Sequence, residues 1–210
     1  SVKAMHRLIL SSQTFQQTSR INPQAQKLDA DCRLLWRFPL QRLRAEAIRD
    51  SMLVVTGELN LKMGGPGFDF FKTKGGLSGF PPVENFGPDK LRRMIYSHKI
   101  RMEQVPIFGA FDCPDAGQPT PQRTQSTTAI QALNLFNSNF VYERAKAVAE
   151  RIRDETGDDV DRQVSATFQL MLGRVPNETD FAAAKSAVSQ YDLSTFAIVI
   201  FNRNEFLFLH

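Results

Sequence analysis

The sequence predicts a mainly α-helical protein, a multi-helix array of short hairpin-connected helices with a small β-ribbon and a long Gly/Phe-rich loop. Apolar residues recur at helical spacing in both end regions, and one stretch near the middle alternates with a period of two. Between them, residues 64–88 hold seven glycines, four prolines and five phenylalanines. We expect a single domain over 1–210, with a subdivision into 1–63, 64–125 and 126–210.

The N-terminal region holds two predicted helices. The first runs from about Val2 to Gln17, and a loop with an Asn22-Pro23 turn follows it. The second helix ends at Gly57, because glycine readily adopts the left-handed conformation that commonly closes a helix. Its apolar stripe is Leu43, Ala47, Ile48, Ser51, Met52 and Val55.

The alternation in residues 91–102 predicts a strand, the one convincing strand prediction in the sequence. One face of it carries Met94, Tyr96, His98, Ile100 and Met102. A lone strand is unstable, and 105–111 is the nearest candidate partner, so we expect the β-ribbon to pair these two segments. On this alternation His98 lies in or near the core, where a single histidine is usually a hydrogen-bonded structural residue.

The C-terminal region returns to helices. Five short stretches with apolar residues at helical spacing, joined by breaks of a few residues, predict an array of α-hairpins. The residues that we expect to begin or end these helices are Ser126 or Thr127, Gly157, Gly173, Asn177 and Ser194.

A short pattern occurs twice, as Phe136-Asn-Ser-Asn-Phe and as Phe201-Asn-Arg-Asn-Glu-Phe. The favoured interpretation is helix punctuation: the first asparagine leaves a helix in the left-handed conformation, and Ser138 or Asn139 caps the next helix of the first copy. The alternative is an amide cluster, Asn137 and Asn139, that binds a glycan or a neighbouring domain. A duplicated unit is not supported, because the residues around the two copies do not align.

Composition and charge exclude several function classes. The net charge is +4, and no RNP-like, zinc-finger or lysine-run pattern accompanies it, so we expect no nucleic-acid partner. No apolar run reaches the roughly 18 residues of a membrane span. No C-x-x-C-H site is present, so the chain attaches no c-type haem by itself. The chain opens at Ser1 already in helical pattern, from which we expect a piece of a longer protein.

Charged residues cluster on the second predicted helix. Glu46 lies within one turn of Arg49 and Asp50, and a carboxylate pair in this position could serve acid–base chemistry or bind a cation. The spacing of Glu46 from Arg42 and Arg49 also places them on one helix face. A structural ion-pair network is the favoured interpretation.

A second acidic group lies in the loop before the C-terminal helices. Asp112 and Asp115 could offer oxygens to calcium, although ordinary Asp-Pro turns have the same pattern. Arg123, near a predicted helix N-terminus, could hold a sulfate, carboxylate or propionate group. Pairing of Arg123 with Asp112 or Asp115 is favoured. No nucleophile motif or zinc-ligand spacing occurs, so no metal site is predicted.

Eight blocks of the sequence carry a family resemblance: SVKAMHRLILSSQTFQQTS, LLWRFPLQRLRAEAIRDSMLVVTGEL, MGGP, RRMIYSHKIR, FDCPDAG, QSTTAIQALNLFNSNFV, LMLGRVPNETD and FNRNEFLFLH. In this order they resemble the planctomycete-type domain of unknown function 1553, also called the PSD domain of planctomycete cytochrome-fused proteins. The resemblance touches nearly the whole chain. Its specificity comes from the order of the blocks, since no single block would carry it.

The resemblance implies context rather than chemistry. Such domains usually sit at the C-terminal end of large exported proteins, behind a cytochrome-c-like region, and are often discussed alongside polysaccharide breakdown. It implies an exported or periplasmic location, no cofactor within this chain, and haem only elsewhere in the full-length protein. The implied partners are neighbouring domains of the same polypeptide, a c-type cytochrome region or a glycan. Cys32 and Cys113 stand where the family pattern has Asn and Ala. Export would favour pairing, so a Cys32–Cys113 disulfide and two free thiols are the two alternatives that the sequence leaves open.

The expected function is a non-catalytic binding or scaffold module of an exported, cytochrome-linked protein, since no catalytic motif is recognisable. One alternative is a carbohydrate-active hydrolase or lyase that uses Glu46, Asp112 or Asp115. Raised pKa values for a carboxylate pair in one cleft would favour it. Another alternative is a redox accessory that docks a cytochrome through the face of Arg93, Lys99 and Arg101. The expected binding residues are Arg93, Arg101, Arg123, Asn137 and Asn139.

Overall fold

The structure is a computed structural model that describes residues 1–72, 79–119 and 121–209. Residues 73–78 of the predicted Gly/Phe-rich loop, and His210, lie outside the described residues. The chain divides into two compact units: Ser1–Arg42 with the C-terminal residues from Phe208, and Leu43–Leu207. Most of the secondary structure in the described residues is helical, and one small two-stranded sheet accompanies the helices. This confirms the predicted mainly α fold class.

The smaller unit contains two helices and the sheet. Its elements are α1 (Val2–Leu10), α2 (Pro23–Leu28), β1 (Gln41–Arg42) and β2 (Phe208–Leu209). The strands are antiparallel, with Gln41 opposite Leu209. Helix α1 ends at Leu10 rather than near Gln17, because Ser11 and Ser12 turn their hydroxyls back onto carbonyls of the last turn.

The larger unit contains the other helices. They are α3 (Ala45–Thr56), α4 (Ala129–Phe136), α5 (Asn139–Thr156), α6 (Val160–Leu172), α7 (Glu178–Gln190), α8 (Leu193–Phe201) and α9 (Asn204–Leu207). Three 3₁₀ turns, Pro88–Lys90, Met94–Tyr96 and Phe108–Phe111, lie in the irregular region between α3 and α4. Among the described helices, none is both long and apolar enough to cross a membrane.

Helix α5 is the centre of the larger unit. It packs against α3, α6 and α8, and its buried side chains recur at spacings of three and four residues. These are Phe140, Val141, Ala145, Val148, Ala149 and Ile152. Burying a side chain as large as those of Phe, Val and Ile contributes about 1.5–3 kcal/mol relative to leaving it exposed, so the larger members of this stripe fix where α3 and α8 lie.

Local signals set several helix ends as the sequence predicts. Gly57 and Gly173 adopt left-handed conformations at the ends of α3 and α6. The Asn177 side chain accepts the Asp180 N–H at the start of α7. Two predicted caps are wrong. Thr128, not Ser126 or Thr127, precedes α4, because Asp112 takes the Ser126 N–H and hydroxyl. Asp192, not Ser194, caps α8 through the Thr195 N–H.

The predicted location of the β-ribbon is wrong. Residues 91–102 contain the Met94–Tyr96 3₁₀ turn, and their bridges are isolated pairs, Asn60 with Arg92 and Phe68 with Ser97. The predicted partner, 105–111, holds another 3₁₀ turn. A strand needs a continuous neighbour, and among the described residues the adjacent glycine-rich segment supplies only single bridges.

Candidate functional site

A cleft of about 430 Å³ opens beside the first turns of α3, and we call it the α3 cleft. It is formed by one face of that helix, by the segment around the Met94–Tyr96 turn, and by one arginine that precedes α4. Its lining residues are Arg44, Glu46, Ala47, Asp50, Arg93, Met94, Ile95, Ser97, Lys99 and Arg123.

Asp50 positions the segment that forms the far wall. One carboxylate oxygen accepts the Met94 N–H at 2.8 Å, and the other accepts Arg93 Nε at 3.4 Å. The pairing holds because α3 buries Ile48, Arg49 and Met52 and turns Asp50 toward the cleft. Burial raises the pKa of Asp50 above its ordinary value, although the Met94 N–H and two arginines act in the opposite direction.

Glu46 is held by Arg123, which lies 77 residues later in the chain. Arg123 Nη1 donates to both carboxylate oxygens, at 2.9 and 2.8 Å. Partial burial acts to raise the pKa of Glu46, but the hydrogen bonds and charge of Arg123 outweigh it, so this pKa lies below its ordinary value. The sequence placed Arg42 on the same helix face as Glu46. This placement is wrong, because Arg42 belongs to β1 and α3 begins only at Ala45.

The predicted partners of Arg123, Asp112 and Asp115, have other roles. Asp112 accepts the Ser126 N–H and hydroxyl, both at 2.8 Å, and Asp115 accepts the Gly117 N–H. Asp112 and Asp115 line a neighbouring cavity of about 290 Å³. Arg123 lines this cavity and the α3 cleft, so it lies between the two. Within the described residues, no group of three or more His, Cys, Asp and Glu side chains is arranged to hold a metal ion.

The charge balance of the α3 cleft is positive. Four cationic side chains face two carboxylates, an excess of two positive charges. Arg44 is exposed and forms no ion pair with a described residue. Lys99 Nζ lies 2.8 Å from Cys113 Sγ. Ser97 Oγ, also in the lining, is enclosed without a hydrogen-bond partner among the described residues. The cleft therefore offers a cationic surface with one unsatisfied hydroxyl.

Both cysteines are free and buried, so the structure contains no Cys32–Cys113 disulfide. Each thiol has a local partner instead: Cys32 Sγ donates to Arg37 O at 3.3 Å, and Cys113 Sγ contacts Lys99. Of the basic face that the sequence predicted, Arg93 and Lys99 share the α3 cleft lining and Arg101 is not part of it, while the Lys99 ammonium also contacts Cys113.

His98 does not lie in the core. The side chain is 45% exposed, and Nδ1 lies 2.7 Å from an Asp69 carboxylate oxygen. The prediction from strand alternation fails because the Met94–Tyr96 turn interrupts the strand. Arg101 is likewise exposed and lines neither the α3 cleft nor the cavity beside Asp112.

The two asparagine copies end their helices by the same contact. The side-chain amide of Asn137 donates to the carbonyl of Leu133 at 2.8 Å, and that of Asn202 donates to Ile198 O at 3.1 Å, each four residues back. Neither asparagine is left-handed, with φ at −105° and −92°, so that part of the prediction is wrong. Ser138 caps α5, as one of the predicted options has it.

The last two sequence blocks meet through ion pairs. Arg174 in the first block binds Glu205 in the second at 2.7 Å and Asp180 at 2.7 Å, and Arg203 also reaches Asp180. Arg174 and Arg203 both lie over the Phe168 ring. The order of these residues in the chain gives no sign of this network, because Arg174 and Arg203 lie in the α6–α7 and α8–α9 connections and pair with residues of α7 and α9.

Sequence reasoning also missed the environment of Arg49. This guanidinium is fully buried and lies within 4.9–5.9 Å of four phenylalanine rings. The rings are those of Phe68, Phe70, Phe86 and Phe140. The high phenylalanine content of the sequence, 17 residues, was the available signal.

Comparisons with known proteins give one finding. The family model PSD1, described as a protein of unknown function (DUF1553), matches residues 1–188. No curated protein matches the chain, and no solved structure does.

Proposed function

The chain belongs to the DUF1553 family of proteins of unknown function, and we propose that it is a non-catalytic binding module whose α3 cleft holds an anionic group. The observation that carries this proposal is the cleft's charge balance, four cations against two carboxylates. Both carboxylates already accept hydrogen bonds, Glu46 from Arg123 and Asp50 from Met94 and Arg93. The surplus cations are Arg44 and Lys99: neither is paired with a carboxylate of a described residue, and Lys99 contacts the Cys113 thiol.

The proposed setting is a longer, exported, cytochrome-linked protein. It rests on the resemblance carried by the ordered sequence blocks. In that setting the anionic group belongs to a neighbouring domain or to a glycan, and in both cases the recognised chemistry is a carboxylate or sulfate. Arginine suits such groups because its planar guanidinium donates two parallel hydrogen bonds.

Titration of the chain with inorganic sulfate, with acetate and with a sulfated oligosaccharide, followed by amide NMR, tests the proposal. We expect saturable shifts at the cleft residues. Lys99→Gln should weaken binding about fivefold, the factor for roughly 1 kcal/mol at a half-exposed pair. Glu46→Gln should strengthen it, because Arg123 loses the carboxylate that neutralises it.

Lys185→Gln is the matched control, since Lys185 is an exposed cation on α7 that pairs with Asp161. It should leave affinity unchanged. Equal affinities for the parent chain, Lys99→Gln and Lys185→Gln would refute a specific site. A stronger response to the oligosaccharide than to sulfate and acetate assigns the group to a glycan, and equal responses assign it to an acidic side chain.

A second candidate function has one observation in its favour. Glu46 and Asp50 lie one turn apart in the α3 cleft, and their pKa values are displaced in opposite directions. Such displacement is typical of an acid–base pair. If the chain is a carbohydrate-active hydrolase or lyase, Asp50→Asn and Glu46→Gln abolish turnover of a sulfated or acetylated polysaccharide, whereas a binding module shows no turnover with either form.

A further inference from the structure

A second, apolar cavity of about 210 Å³ shares no lining residue with the α3 cleft. Its walls come from the segment at 82–86, from the turn at 106–108, and from the corner between α4 and α5. Its lining residues are Phe70, Pro82, Val83, Glu84, Phe86, Pro106, Ile107, Phe108, Asn137, Ser138, Asn139 and Phe140. We call it the phenylalanine cavity.

The rings of this cavity are held from behind. Phe86 packs edge-on against Phe70 and Phe140, at centroid distances of 5.6 and 6.0 Å, and Phe108 packs against Phe140 at 5.7 Å. The Arg49 guanidinium lies within 6 Å of three of these rings and is itself fixed by backbone carbonyls. These contacts pack the rings against each other and against the buried cation, which stabilises the wall behind the cavity.

The wall at Ile107 carries backbone strain. Ile107 has φ 67° and ψ −60°, and the Phe108 N–H donates to Pro106 O at 2.7 Å. This is the strained form of the γ-turn, and a β-branched residue rarely adopts it. Strain of this kind persists where the surrounding structure enforces it, and it concentrates at binding sites.

The size and polarity of the cavity define its occupant. The volume of 210 Å³ lies below the roughly 300–1,000 Å³ of pockets that hold drug-sized ligands, and it leaves room for one ring system. Among the described residues that line the cavity, only Glu84 is charged, and it is exposed. The Asn139 amide is exposed and makes no hydrogen bond with a described residue. Together these features fit an aromatic side chain with a cation beside it.

We propose that the phenylalanine cavity anchors one aromatic side chain of a protein partner, with an adjacent basic residue of that partner paired to Glu84. Aromatic anchors that enter a preformed pocket beside a charged rim dominate many protein interfaces. Edge-to-face contact with the cavity rings favours an aromatic side chain over an aliphatic one of similar size. The proposal is independent of the α3 cleft, because the two share no lining residue.

The test uses the full chain and three dipeptide probes: N-acetyl-Trp-Lys-amide, N-acetyl-Leu-Lys-amide and N-acetyl-Trp-Ala-amide. Binding is followed by amide NMR, with the Asn139 side chain and the Phe108 backbone as reporters. We expect saturable shifts with Trp-Lys, and affinity about fivefold lower for Leu-Lys, the factor expected of an aromatic pair. Resonances of Arg44 and Lys99 should not move.

Two variants test the geometry. Val83→Trp fills the cavity and should abolish the response to Trp-Lys. Glu84→Gln, at an exposed position that tolerates substitution, should weaken Trp-Lys about threefold and leave Trp-Ala unchanged. Equal binding of Leu-Lys and Trp-Lys, an unaltered response in a folded Val83→Trp chain, or an equal effect of Glu84→Gln on both tryptophan probes would overturn the proposal.

Discussion

Arg49→Met tests whether the buried cation stabilises the fold. Arg49 is fully enclosed, donates to Arg92 O at 2.6 Å and to Lys90 O at 3.2 Å, and lies 3.7 Å from an Asp50 carboxylate oxygen. Methionine is unbranched, flexible and uncharged, and it is the apolar side chain best suited to fill the space of the arginine stem. The substitution therefore removes the hydrogen bonds and the cation–π contacts while largely filling the space.

The magnitude follows from opposing contributions. Two carbonyls lose charged donors, which costs about 1–3 kcal/mol each, and loss of the ring contacts costs about 1–2 kcal/mol. Against this, burial lowers the pKa of Arg49 to about 10, and relief of that penalty returns about 3 kcal/mol. The net expectation is a loss of about 2 kcal/mol in the free energy of unfolding.

Urea denaturation followed by far-UV circular dichroism measures this difference. The matched control is Arg93→Met, because Arg93 also pairs with Asp50 but its side chain is 59% exposed. That variant should change the free energy of unfolding by less than about 1 kcal/mol. An Arg49→Met chain as stable as the parent, or more stable, would show that the burial penalty of the cation exceeds its hydrogen bonds.

Two further predictions concern the C-terminal helices. Hydrogen bonds from Arg174 lower the pKa values of Asp180 and Glu205, so their contribution to stability is present above the ordinary carboxyl pKa near 4 and is lost as the pH falls below it. Arg174→Met should lower the free energy of unfolding at pH 7 by about 1 kcal/mol and flatten the decline of this free energy in acid. Urea titrations from pH 7 to 3 measure both effects, and an unchanged decline in acid contradicts the prediction. Gly173→Ala should cost about 1 kcal/mol, because φ is 68° there and no atom lies within 4 Å of the added Cβ. Gly87→Ala is its control, with φ −68° and equally open surroundings, and an equal loss in both variants would show that backbone conformation is not the cause.

The helix ends were predictable where the signal acts within one turn. Gly57, Gly173 and Asn177 mark helix ends in the sequence and mark them in the structure, since a left-handed glycine or a capping amide needs no distant partner. Ser126 shows the limit of such signals. It has the chemistry of a cap, but an Asp112 carboxylate from an earlier loop binds it first, and the helix begins later.

The sequence identified candidate residues of the α3 cleft, but not which of them pair with each other. Glu46 and Arg123 were both candidates, yet they are 77 residues apart, and no spacing rule joins them. The strand prediction failed for a related reason, because alternation describes a face and not the neighbour that must pair with it. Among the described residues, the segment beside 91–102 offers single bridges, so the alternating side chains do not lie on one sheet face.

The arginines differ in what they bind, and this difference indicates which of them are available to a ligand. Arg92 donates to the carbonyls of residues 62, 64 and 66, and Arg49 to those of 90 and 92. Irregular segments leave carbonyls without helical or sheet partners, and a guanidinium with several donors satisfies them. Arg49 and Arg92 therefore bind backbone carbonyls and are not available to a ligand. Arg44 has no such partner among the described residues, so the excess charge of the α3 cleft, and not the net charge of +4, is the quantity that bears on binding.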